Sequence, residues 1–252
     1  SSAYPGVTKA VTDGGLGFDY KWDMGWMNDT LSYFQAPPAE RKQRYHQLTF
    51  SMQYFYKERY LLPLSHDEVV HGKATILQKM YGDYEGKFPQ ARALYLYMFA
   101  HPGKKLNFMG NEFGQLREWD EKRQQDWEIL SYPVHDAFHR FMMDLNKLYS
   151  ENPALYEMDY DPEGFRWLDC HQEERLIYAF ERRSGKQRIA AVFNFSDEVQ
   201  EEYVLEVKEG ASLSLLISSE MESREKQKNP LKEGKTVISL PPYSGRYYLV
   251  EE

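Results

Sequence analysis

Among 252 residues there is one cysteine, Cys170, so no internal disulfide can staple the fold. A lone thiol suits a reducing compartment, no charged-then-apolar leader opens the chain, and a cytoplasmic location is expected. A basic surplus is also missing. The 31 Lys and Arg against 39 Asp and Glu leave a net charge of -8, which argues against a nucleic-acid partner. No apolar run approaches the ~20 residues of a membrane-spanning helix, so no membrane partner is expected. The chain opens on Ser1-Ser2 instead of methionine, and further sequence is expected upstream.

What the chain has in quantity is aromatic residues, 20 Tyr, 14 Phe and 5 Trp. Such rings fill cores and also stack on pyranose faces, so composition leaves packing and carbohydrate binding both open.

The most informative stretch is Arg59 to Lys73. Its apolar run Tyr60 to Leu64 predicts a buried strand that stops at Ser65-His66-Asp67-Glu68, four polar residues at the strand's C-terminal end. In parallel α/β folds that end carries the chemistry.

Around this stretch the pattern alternates. Turn formers fill Ser1 to Gly17, and alternation of Leu16, Phe18, Tyr20 and Trp22 predicts a strand over Leu16 to Asp23. Met24-Gly25-Trp26-Met27 follows, where Trp22 and Trp26 could line a ligand rim or simply pack. After Pro37-Pro38 the spacing of Tyr45, Leu48, Met52, Phe55 and Tyr56 predicts a helix from Glu40 onward. A second helix is predicted over Pro89 to Ala100, a third strand over Lys105 to Met109, and an amphipathic helix over His135 to Tyr149. Asn111 and Glu112 cap that third strand as the polar cluster caps the second. Three βα-type units thus occupy residues 1–155.

Residues 156–252 read differently. Seven short β-rich runs, Phe165 to Leu168, Arg175 to Phe180, Arg188 to Phe195, Tyr203 to Val207, Leu213 to Ile217, Thr236 to Leu240 and Gly245 to Val250, predict an antiparallel β-sandwich. Glu220 to Lys228 is expected to be a solvated, charge-dense loop.

His66, Asp67, Glu68 and His71 invite a metal, but the two histidines are five residues apart, about 140° around a helix and on opposite sides of a strand. No metal or cofactor is therefore expected. Asp67 could instead meet a developing oxocarbenium ion or hold sugar hydroxyls; equally, it could cap a turn.

Ser65-His66-Asp67-Glu68-Val69-Val70-His71-Gly72-Lys73 closely resembles the fourth active-site region of bacterial 1,4-α-glucan (glycogen) branching enzymes of the α-amylase superfamily. The stretches Gly14 to Met27 and Pro102 to Gly114 resemble the same family, so the likeness spans most of residues 1–150. It implies the last three strands of a (β/α)8 barrel followed by a β-sandwich. It also implies a retaining double displacement that moves an α-1,4-glucan chain onto a 6-hydroxyl, making an α-1,6 branch. By resemblance Asp67 matches the carboxylate that grips the reacting sugar and stabilises the transition state, and His66 matches the histidine bonded to that sugar. Glu68, Trp22, Trp26, Asn111 and Glu112 join them as substrate-binding candidates.

The family's nucleophilic aspartate and acid/base glutamate match no residue here. A complete barrel needs ~250 residues. The chain is thus expected to be the C-terminal portion of such an enzyme, inactive alone, whose partners are α-1,4-glucan and the missing N-terminal barrel half. A glucan-binding module using Trp22, Trp26 and Trp119, another superfamily hydrolase or transferase, and a metal-dependent hydrolase built on His66, Asp67 and His71 are the alternatives.

Overall fold

Asp23 starts the first helix. Its side chain accepts the Trp26 N–H at 2.9 Å, which satisfies one of the free donors of a helix N-terminus. The computed structural model describes residues 4–220 and 228–252. In it β1 (Lys21–Trp22) leads into α1 (Met24–Gln35), which Ala36-Pro37 ends. The short α2 (Pro38–Arg41) and three 3-10 turns then lead to β2 (Tyr60–Leu64). After α3 (Ile76–Lys79) and α4 (Lys87–Ala100) comes β3 (Lys104–Asn107), and α5 (Pro133–Glu151) closes this part. The three strands form one parallel sheet in the order β1-β2-β3, with Trp22 opposite Leu61 and Leu64 opposite Asn107.

Several expectations need correction here. The strand expected over Leu16 to Asp23 is only Lys21–Trp22, and Leu16 and Phe18 are exposed. The helix between the first two strands is α1, not a helix from Glu40 onward. Residues 45–57 instead form the turns Tyr45–Gln47, Phe50–Gln53 and Phe55–Lys57. Aromatic residues lose rotamer freedom in an α-helix, and this stretch is rich in them. Its side chains also have distant partners: the Tyr54 hydroxyl donates to Asp23 at 2.7 Å, and Ser51 Oγ lies 2.8 Å from His101 Nε2. The helices expected over Pro89 to Ala100 and His135 to Tyr149 are present as α4 and α5, each slightly longer.

Gly103 lets α4 turn back into β3. Its φ is +106°, and a Cβ there would lie 3.0 Å from both the Tyr60 carbonyl oxygen and the Phe55 ring.

All seven C-terminal strands are present, as β4 (Phe165–Gln172), β5 (Ile177–Ser184), β6 (Gln187–Asn194), β7 (Gln200–Glu206), β8 (Ser212–Ser218), β10 (Lys235–Leu240) and β11 (Ser244–Glu251), with a further short β9 (Lys228–Pro230). They make an antiparallel six-stranded sheet, β4-β5-β6-β11-β8-β9, and a two-stranded sheet, β10-β7. Residues 221–227 of the expected charged loop lie outside the described residues. Of its ends, Glu220 pairs with Arg246 and Lys228 with Glu251.

The large sheet is buried on both faces, which is why β5 and β6 read as continuous apolar runs. Ile177, Ala179, Ala190 and Val192 face Tyr203, Leu205, Ile238 and Leu240 of the small sheet. Tyr178, Phe180, Ala191 and Phe193 join the core around α4, a helix buried on nearly every side. Polar anchors lock this contact. The Tyr45 hydroxyl donates to the Ile177 carbonyl at 2.6 Å and its ring stacks on Tyr178 at 4.1 Å; the wholly buried Arg41 donates to the Phe195 carbonyl at 2.8 Å. The α/β part therefore rests on a broad β support.

Candidate active site

β2 ends at Leu64, whose carbonyl accepts the Phe108 N–H at 3.0 Å and the Asn111 side-chain amide at 3.2 Å. These bonds seat the chain after β3 directly against the end of β2. The next residues, His66–Glu68, form a single 3-10 turn, so Ser65 is buried while His66 and Asp67 are thrown outward. Their side chains are 47% and 57% exposed, and His66 Nε2 stands 3.3 Å from Asp67 Oδ1. Asp67 thus offers a solvated carboxylate next to an imidazole at a strand's C-terminal end. Such a group can accept hydrogen bonds from hydroxyls and face a developing positive charge.

The turn is held from behind. His66 lies against Phe108 and Trp119, with ring centroids at 5.8 and 6.1 Å, and Phe108 and Trp119 meet edge to face at 5.2 Å. The Trp119 N–H donates to the Val69 carbonyl at 2.9 Å. Glu68 turns inward; its backbone carbonyl accepts the Lys79 ammonium, which also donates to the Ala74 carbonyl at 2.7 Å. Burial pushes the Lys79 pKa down, against the opposing pull of the Glu68 charge. The Glu68 carboxylate takes Lys73 at 3.4 Å.

Beyond Glu68 the backbone is strained. His71, Gly72 and Ala74 have φ of +58°, +78° and +65°, and for the two non-glycine residues that region costs on the order of 1 kcal/mol each. The Glu118 carboxylate spans the bend, accepting the Gly72 N–H at 2.9 Å and the Ala74 N–H at 2.7 Å. Those two donors hold the Glu118 carboxyl below its usual pKa. Glu118 is fixed in turn by its neighbour Arg117, whose guanidinium lies 2.8 to 3.2 Å from the Asp126 carboxylate oxygens. A cavity of about 10 Å³, the size for roughly one water, is left between Val69, Asn111, Gln115 and Trp119.

The remaining candidates separate. Asn111 is buried and bonds the Leu64 carbonyl and Asn107 Oδ1, so it braces the site. Glu112 folds back to accept the Gly110 N–H at 2.8 Å. Trp22 is 37% exposed at the end of β1. Trp26 is a correction: it is 1% exposed, packed 6.4 Å from Tyr97 inside the core, and cannot stack on a ligand. Its place on the inner face of α1 follows from the capped helix that the glycine and polar residues around it disguised. Among the described residues no three His, Cys, Asp or Glu side chains converge as metal ligands. Sequence reasoning missed Glu118, Lys79 and Phe108 as supports. The one local signal there is an aromatic flanked by charges, Arg117-Glu118-Trp119-Asp120.

Residues 167–251 match the family described as "Alpha amylase, C-terminal all-beta domain". The chain superposes on the AmyP–maltose crystal structure with a TM-score of 0.70 at 13% identity, covering 93% of this chain and 50% of that one. It superposes on an Anoxybacillus pullulanase–maltotetraose structure with a TM-score of 0.64 at 13% identity, covering 92% and 35%. At such identities the likeness concerns the fold alone.

Sequence relatives are more particular. The chain is 50% identical over 212 residues to the 1,4-alpha-glucan branching enzyme GlgB of Aquifex aeolicus, covering 83% of this chain and 34% of that protein. It is 46% identical over 222 residues to the GlgB of Oceanobacillus iheyensis, covering 87% and 35%. The chain therefore matches the C-terminal portion of branching enzymes and spans about a third of their length. No described helix is long and apolar enough to cross a membrane.

Proposed function

We propose that the chain is the C-terminal third of a 1,4-α-glucan branching enzyme, acting in the reducing cytosol. Residues 1–155 supply the last three βα units of its (β/α)8 barrel, and 156–252 the β-sandwich that supports them. The missing barrel half brings the nucleophile and acid/base; this portion brings Asp67 and His66. Asp67 accepts hydrogen bonds from hydroxyls of the reacting glucose, and its charge stabilises the oxocarbenium-like transition state of a retaining transfer to a 6-hydroxyl. His66 donates to the same sugar. Glu68, Asn111 and Glu112 shape the site, and Trp22 stands at its rim. Alone, the chain forms no branches.

The observation that carries this reading is the exposed Asp67 carboxylate beside His66 at the end of a parallel strand, with His66 backed by Phe108 and Trp119. The likeness to the Aquifex and Oceanobacillus proteins, both named 1,4-alpha-glucan branching enzyme, supports it.

A chimera tests it. This chain replaces the matching third of the Aquifex enzyme, and new α-1,6 linkages in amylose are counted by proton NMR. The chimera should branch amylose, and Asp67→Asn should lower its rate roughly 10²- to 10³-fold. An Asp67→Asn chimera at full rate would refute the role given to Asp67.

A further inference from the structure

We propose that Glu118 is a positioning residue for the Asp67 site, holding the 69–75 bend in its strained form so that the His66-Asp67 turn keeps its outward direction. The proposal rests on the function proposed above. Glu118 itself meets backbone, not the proposed sugar position: its two oxygens accept the N–H groups of Gly72 and Ala74, 46 and 44 residues away in sequence. Those residues sit in the part of the loop whose φ angles are positive, a form that relaxes unless something holds it. The next residue along, Trp119, bonds Val69 through its backbone and touches His66 through its ring. One rigid dipeptide therefore grips the bend at its far side and the site histidine at its near side. Arg117, tied to Asp126, keeps that dipeptide in place.

No other described side chain accepts from the Gly72 or Ala74 N–H. Lys79 holds the Glu68 and Ala74 carbonyls but cannot take a donor. Removing the Glu118 carboxylate thus frees two N–H groups and lets the bend open, while Asp67 remains chemically intact. A displacement of about 1 Å in a group aimed at a transition state can cost on the order of 10²-fold in rate.

Two measurements test this. In the 252-residue chain, amide exchange read by NMR should be about tenfold faster at Gly72 and Ala74 in Glu118→Ala, intermediate in Glu118→Gln, and unchanged in β5 and β6, which report the global fold. In the Aquifex chimera, Glu118→Gln should lower kcat roughly tenfold with KM for amylose within about twofold, because no sugar contact is lost. Unchanged exchange at both amides would overturn the clamp. Faster exchange with unaltered kcat would overturn its positioning role. If Glu118→Ala loses protection in β5 and β6 as well, Glu118→Gln decides. Loss of the proposed function itself shows separately, as an Asp67→Asn chimera that branches at full rate.

Discussion

The Asp159 carboxylate and the Arg182 guanidinium meet at 2.8 Å with both side chains wholly buried. Arg182, on β5, also donates to the Ala100 carbonyl at the end of α4, at 2.7 Å, and to Gly164 at 3.1 Å. The second Asp159 oxygen takes Lys104, at the start of β3, at 3.0 Å. One buried pair thus ties the β support to α4 and to β3, the strand paired with β2 beside the candidate site. Burial opposes ionisation of Asp159, but Lys105, Arg182 and Lys104 outweigh it and hold its pKa below the ordinary value.

Breaking that pair should be costly, since Asp159→Asn leaves the buried Arg182 charge uncompensated and Arg182→Met leaves the buried Asp159 with Lys104 as its one remaining ion-pair partner among the described residues. Asp159→Asn or Arg182→Met is expected to lose ~3–5 kcal/mol, measured by urea unfolding followed by tryptophan fluorescence. The Asp159→Leu/Arg182→Met double variant should recover part of the loss. A single variant as stable as the parent would show that the pair contributes nothing to the joint.

His101 supplies a pH signature. Burial, helped by the Lys105 and Arg182 cations, drives its pKa down to about 3, although the Pro102 carbonyl it donates to pulls the other way. The neutral ring puts its proton on Nδ1, 2.8 Å from that carbonyl, and accepts from Ser51 at Nε2. Unfolded, the ring titrates near its ordinary ~6.5, so below that pH the unfolded state binds the extra proton. This contribution is fully present above pH ~6.5 and is lost as pH falls toward 3, with a slope approaching 1.4 kcal/mol per pH unit, on the order of one proton. Subtracting the unfolding free energies of His101→Gln from those of the parent across this range isolates the effect. A flat difference would mean that the ring binds protons alike in the folded and unfolded states, so that burial does not hold His101 neutral.

The two tryptophans near β1 should behave in opposite ways. Trp26→Ala opens a cavity in the α1–α4 core and is expected to cost ~3–5 kcal/mol. Trp22→Ala, half exposed, should cost ~1 kcal/mol or less and weaken amylose affinity in the chimera. Equal stability losses would place Trp22 in the core as well.

Local pattern made much of this legible. The run Tyr60 to Leu64 with its abrupt polar end, the largely apolar α4, and all seven short β runs could be read from apolar runs and turns, because in each case burial follows the local pattern of the element itself. What escaped depended on partners far along the chain. Tyr54 and Ser51 draw residues 45–57 into tight turns by bonding Asp23 and His101, which no window over Glu40 to Tyr56 contains. Trp26 looked the same as Trp22 until the helix after Asp23 turned it inward. Glu118 carried no periodic signal at all, since its role lies in two backbone donors more than forty residues away.

The most direct measurement is branching by the 252-residue chain alone beside the Aquifex chimera that carries it, with amylose as donor and acceptor. The expected result is α-1,6 linkages from the chimera, a roughly 10²- to 10³-fold lower rate for its Asp67→Asn variant, and none from the isolated chain. Branch formation by the isolated chain would contradict the assignment of nucleophile and acid/base to the missing half, and an Asp67→Asn chimera at full rate would contradict the site itself.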